Sequence, residues 1–144
     1  MQQRVSLITL GVADLGRAAG FYDAMGWQRV DTPDPGIIAY DLLSQCLGLY
    51  PIDKLAADIG VAPDALGRGA MTLAHNTATA AEVHSLTDRA VAAGGTVLRP
   101  AGEVFWGGTI AYVTDLDGHI WEFAHNPFSP LGADGAFQWN GVSP

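Results

Sequence analysis

The segment DLDGHIWEFAHNP, residues 115–127, places His119, Glu122 and His125 at intervals of three. Histidine and carboxylate side chains are zinc ligands. Asp115-Leu116-Asp117-Gly118 also resembles the start of a calcium-binding loop. Which chemistry is available depends on the backbone, because side chains at a spacing of three share a face on a helix but fall on opposite faces of a strand. The calcium reading fails on spacing. The twelfth loop position is Asn126 rather than a bidentate glutamate, and a strand-like run follows Gly118 directly.

The surrounding pattern predicts strand. Residues 109–114 and 119–125 read as a hairpin turning at Leu116-Asp117, with Ile120, Glu122 and Ala124 on one face. His119, Trp121, Phe123 and His125 then lie on the other, so the three apparent ligands do not converge. Trp121 and Phe123 belong against a helix, which leaves Glu122 alone on the opposite face. A carboxylate there is expensive unless partnered. Burial is expected to raise its pKa and suit it to acid–base work. A tyrosine, tryptophan or backbone donor tying it up is the structural alternative.

The elements that position this strand recur along the chain. In the second half, 70–75 reads as a strand, and Thr79 and Glu82 form a capping box ahead of a helix carrying Val83, Leu86 and Ala90. Gly94-Gly95 ends that helix, and 96–99 is a strand. In the first half, 4–12 is a strand, Asp14 is an N-cap, and Leu15, Ala18, Tyr22 and Met25 recur at helical spacing before Gly26. Residues 27–30 read as a strand, DTPDPG as a turn cluster, and 37–43 with 46–50 as a hairpin across Ser44-Gln45. Each half is thus strand, helix and three strands, an internal duplication. A connector, 51–68, carries a short helix over 52–59. In the turn-rich tail, 129–144, Phe137 and Trp139 are expected to pack on the body or on a partner chain.

Composition excludes several classes. The 144 residues, about half of them apolar, suffice for one domain with a core. No apolar run is long enough to span a bilayer, and the start Met-Gln-Gln-Arg has no signal-like stretch, so a cytoplasmic location is expected. Fifteen acidic residues against seven basic give a net charge of −8, with no basic stripe for nucleic acid. That charge serves solubility, and would also attract a cationic small molecule. Cys46 is the single cysteine, which rules out an internal disulfide and a cysteine-based zinc site.

Two stretches, LGVADLGRAAGFYDAMGW and WGGTIAYVTDLDGHIWEFAHNP, together with MTLAHN, resemble the vicinal oxygen chelate superfamily of glyoxalases, extradiol dioxygenases and bleomycin-resistance proteins. The resemblance implies an α+β fold of two tandem βαβββ modules, forming a curved mixed sheet around a cleft. Module one is then 1–50, and module two 69–128. It also implies pairing into a homodimer. Metal-dependent members place one ligand on each of four strands, and the matching positions here are Leu7, Gly48, Ala70 and Glu122. Three of these have no donor atom, and a lone carboxylate does not make a transition-metal site. No metal and no cofactor are expected.

Strand parity nominates the remaining cleft residues. Leu7 and Thr9 share a face with Gly11, Tyr50 shares one with Gly48, and Thr72 and Asn76 share one with Ala70. A tight two-residue turn would add Thr109, Ala111 and Val113 to the face of Glu122, whereas a bulge near Gly118 would reverse them. Phe105 and Trp106, before two glycines, are candidates to stack on a flat ligand. His75 reads as a hydrogen-bonded core histidine and His84 as solvated. The reading is metal-independent binding of a small molecule, such as sequestration of an aromatic or cationic compound. A metal-free isomerase or lyase using Glu122 is the alternative, and a metal-dependent lyase or dioxygenase comes third.

Overall fold

The structure, a computed structural model, describes residues 5–67 and 71–139. The chain divides into two compact units, Met1–Gly69 and Ala70–Pro144. Both are α+β, which is the fold class the duplication predicts.

In the first unit the elements are β1 (Leu7–Val12), α1 (Leu15–Ala24), β2 (Ile38–Asp41), β3 (Cys46–Pro51) and α2 (Ile52–Ile59), followed by a 3-10 turn, Pro63–Ala65. Central β3 pairs in parallel with β1 and antiparallel with β2. One face carries buried Leu10, Val12, Tyr40, Leu47 and Leu49, which form the core with Ala18, Ala19, Phe21 and Tyr22 of α1. The Asp14 carboxylate caps α1 by accepting from the Arg17 amide at 2.7 Å.

Two expectations need correction here. The strand predicted over 27–30 is reduced to a single bridge, Val30 to Ala39. The loop that follows satisfies its own polar groups: the Thr32 hydroxyl donates to Asp34 and Ile37 carbonyls, and Asp34 accepts from the Gly36 amide. With those bonds closed locally, nothing extends the ladder. Trp27 stacks on Tyr22 instead, with ring centroids 5.4 Å apart. The hairpin also turns one residue earlier than expected, at Leu43-Ser44, since the Leu42 amide donates to the Gln45 carbonyl at 2.8 Å.

The second unit contains β4 (Leu73–Asn76), α3 (Ala80–Ala92), β5 (Thr96–Glu103), β6 (Thr109–Thr114) and β7 (Ile120–His125), in sheet order β4-β7-β6-β5. Thr79 caps α3 as expected, accepting from the Glu82 amide, while the Glu82 carboxylate reaches back to the Ala78 amide at 2.9 Å, one residue before the N-cap, rather than closing the box on Thr79 itself. Helix α3 packs on β5, β6 and β7, burying Val83, Thr87 and Ala90 with Ala111, Val113, Trp121 and Phe123. As the pattern predicted, Trp121 and Phe123 face the helix. Residue 70, placed at the start of the predicted strand 70–75, lies outside the described residues. In the tail, Phe137 and Trp139 meet edge to face but both stay exposed, so neither is buried on the body as expected.

Candidate functional site

The Glu122 environment is set by one turn. Between β6 and β7 the chain reverses over Leu116-Asp117-Gly118, with Gly118 in the left-handed conformation at φ 87°. The Asp115 amide donates to the His119 carbonyl at 3.0 Å, closing a three-residue loop with a glycine bulge. Asp115, itself buried, holds the turn: its carboxylate accepts from the Asp117 and His119 amides and contacts His119 Nδ1 at 2.8 Å.

The bulge adds a residue to the turn and fixes the register as Tyr112 opposite Glu122 and Thr109 opposite His125. Thr109, expected beside Glu122 from a two-residue turn, therefore lies on the α3 face and is 4% exposed. Ala111 and Val113 move with it. Ile110, Tyr112 and Thr114 take the Glu122 face instead.

Register across the whole sheet arranges that face in rows. Arg99, Tyr112, Glu122 and Ala74 make one; Gly102, Ile110, Ala124 and Asn76 make the next. Tyr112 and Glu122 are half-buried, while Arg99, on the edge strand β5, is exposed. The Tyr112 side chain stands directly opposite Glu122 in the register. Burial, and then the nearby Glu122 carboxylate, push the tyrosine hydroxyl above its ordinary pKa, while the Arg99 guanidinium pulls the other way.

Asn76 lies on this face as strand parity expected, whereas Thr72 precedes β4 and pairs with no strand residue. Phe105 and Trp106 occupy a second three-residue turn with Gly107 in the left-handed conformation, φ 91°. They part company there. A Cβ at Gly108 would overlap the Trp106 ring, so the indole lies over Gly108, which continues the Glu122 face of β6. Phe105 is fully exposed at the tip.

The histidines lie elsewhere. His119 is held by Asp115, and His125 Nδ1 is 3.3 Å from the Thr77 carbonyl beside an open cavity of about 400 Å³ lined by Pro127, Pro130 and Leu131. His75 meets Phe123 edge to face, and desolvation lowers its pKa, but as an edge-strand residue it keeps an exposed side rather than lying in the core. His84 is exposed.

In the first unit, Leu7, Thr9 and Tyr50 do share one sheet face, with Gly48. Tyr50 lies near the Asp58 carboxylate of α2, which pushes its hydroxyl above the ordinary value. Hydrocarbon fills the rest: a Cβ at Gly48 would meet Ile37 Cδ1 at 3.2 Å and Leu7 Cδ1 at 3.5 Å. Among the described residues, no three His, Cys, Asp or Glu side chains come together. Where metal-dependent relatives place ligands, Leu7 and Gly48 present carbon and Ala70 lies outside the described residues. These residues do not fit a transition metal.

The family model of the Glyoxalase/Bleomycin resistance protein/Dioxygenase superfamily matches residues 4–123. The chain belongs to that superfamily. A solved structure of a glyoxalase-related enzyme from Fulvimarina pelagi is 44% identical, with a TM-score of 0.86 over 95% of this chain and 98% of that one. A lactoylglutathione lyase from Agrobacterium tumefaciens, 21% identical, has a TM-score of 0.66 over 88% of this chain and 96% of its own. A superfamily enzyme from Burkholderia phytofirmans PsJN, 20% identical, reaches 0.74 over 83% and 96%. The last two share the fold. No curated protein matches the chain.

Sequence reasoning missed Tyr112 and Arg99 in this superfamily member. The signal for Tyr112 was present: an aspartate followed three residues later by glycine marks a type I turn with a left-handed residue, which sets the pairing one residue away from a tight turn. Arg99 required the irregular β5–β6 register, shifted on both sides of that residue, which no local pattern announces.

Proposed function

We propose that this chain binds a small organic molecule on the Glu122 face of its second-unit sheet without a metal ion. The row Arg99–Tyr112–Glu122, next to small and apolar Gly102, Ile110 and Ala124 and ending near Trp106, carries this reading. It combines a few placed polar groups with an apolar floor, as small-molecule sites do. Pairing into a homodimer, implied by the superfamily, is part of the proposal. Thermal-shift screening with metal analysis tests it. A ligand at 100 times its dissociation constant adds about 2.7 kcal/mol, a shift of several degrees. Amide NMR with that ligand should place the perturbed residues on the Glu122 face. A ligand whose perturbations fall elsewhere, or stoichiometric zinc, nickel or iron in purified protein, would refute it.

A second reading is a metal-free isomerase or lyase. The placement of Tyr112 directly opposite Glu122 favours it, because a carboxylate beside a hydroxyl is positioned to take and return a proton. The 44% identity to a glyoxalase-related enzyme adds support. Turnover of a bound ligand, lost in Glu122→Gln with binding retained, selects this reading over simple sequestration.

A further inference from the structure

The Glu122 face carries opposite charges that do not neutralise one another. Arg99 and Glu122 stand two strands apart, a backbone separation of roughly 10 Å. Side chains this long could bridge that gap, yet no ion pair joins them, and Arg99 pairs with no acid among the described residues. Tyr112 stands between them in the same row. Beyond the row, Gly102 leaves open space where a Cβ would project, and the neighbouring Ile110 and Ala124 are buried apolar residues on the same face.

Resting on the reading above, we infer that the site takes a flat apolar molecule with a carboxylate at one end and a hydroxyl at the other. The carboxylate pairs with the Arg99 guanidinium, whose fork matches its two oxygens. The hydroxyl donates to Glu122, and the body lies across Tyr112 and the open space at Gly102. This reverses the expectation of a cationic ligand from net charge. The charge of −8 belongs to the whole molecule, whereas recognition is decided by the groups in contact. Arg99 is not needed for the fold, being exposed on an edge strand.

The test uses 4-hydroxybenzoate, its methyl ester and benzoate as probes, followed by amide NMR on the full chain. In wild type the acid should bind about tenfold more tightly than the ester, as loss of a charge-assisted pair requires. Benzoate, lacking the hydroxyl, should also bind more weakly, and shifts should map to 109–113 and 120–124. Arg99→Gln should bind the ester as wild type does, which shows an intact fold, and lose the preference for the acid. If acid and ester bind equally on this face, or Arg99→Gln keeps the preference, the inference fails while the Glu122 site stands. Arg99 is then an edge charge of the kind that blunts strand pairing. If no probe perturbs this face at millimolar concentration, the inference and the site reading fail together.

Discussion

Tyr112 and Glu122 occupy directly opposed positions on β6 and β7, where burial and the facing carboxylate hold the tyrosine hydroxyl above its ordinary pKa. The hydroxyl gives a half-buried charge a polar neighbour on a face where two neighbouring positions are Ile120 and Ala124. The pair lies at the centre of the row that the proposed ligand must cross.

Tyr112→Phe removes the donor and keeps the ring. The expected cost is about 1 kcal/mol, below the range for a buried bond to a charged group, because both residues keep some contact with solvent. It should appear in urea denaturation as a lowered midpoint with an unchanged slope. An unchanged midpoint would mean that water replaces the hydroxyl without loss.

Gly118 and Gly20 should respond to alanine with opposite signs. Gly118 holds φ 87° in the turn that sets the Tyr112–Glu122 register, and a side chain there is strained by about 1–2 kcal/mol. Gly20 is exposed within α1, with nothing within 4 Å of a built Cβ, so alanine should stabilise by about 0.5–1 kcal/mol. Melting temperatures of the two variants check this, and a stabilising Gly118→Ala would contradict the turn described.

Tyr40 predicts a stability loss at high pH. Desolvation and Asp23, to which it lies at 3.1 Å, push its hydroxyl from 10.0 to about 12. The raised value means that the fold prefers the protonated hydroxyl. Its contribution is complete below the unfolded value and is lost as pH climbs through the folded one, a window of about 10 to 12. Wild type should lose up to about 2 kcal/mol more than Tyr40→Phe across that window. Parallel pH profiles for the two proteins would show that Tyr40 is not the group responsible.

Much of this protein is decided locally and is legible in sequence. The caps at Asp14 and Thr79 act within three residues, the helix spanning Ile52–Ile59 has the bounds its pattern predicts, and alternation along β7 separates Glu122 from Trp121 and Phe123. The order of elements in each half, short of the strand expected at 27–30, and the superfamily with it, also follow from local pattern. What the chain alone could not decide is pairing between strands. One extra residue in the Asp115–His119 turn exchanges Thr109 for Tyr112 beside Glu122, because side chains alternate with a period of two and any single-residue shift reverses every face. The strand expected at 27–30 is lost for a related reason, since a ladder needs a partner and the next loop had already bonded to itself. Local chemistry placed one carboxylate on a strand; only the assembled sheet set a tyrosine and an arginine beside it, because neighbours across strands are chosen by register.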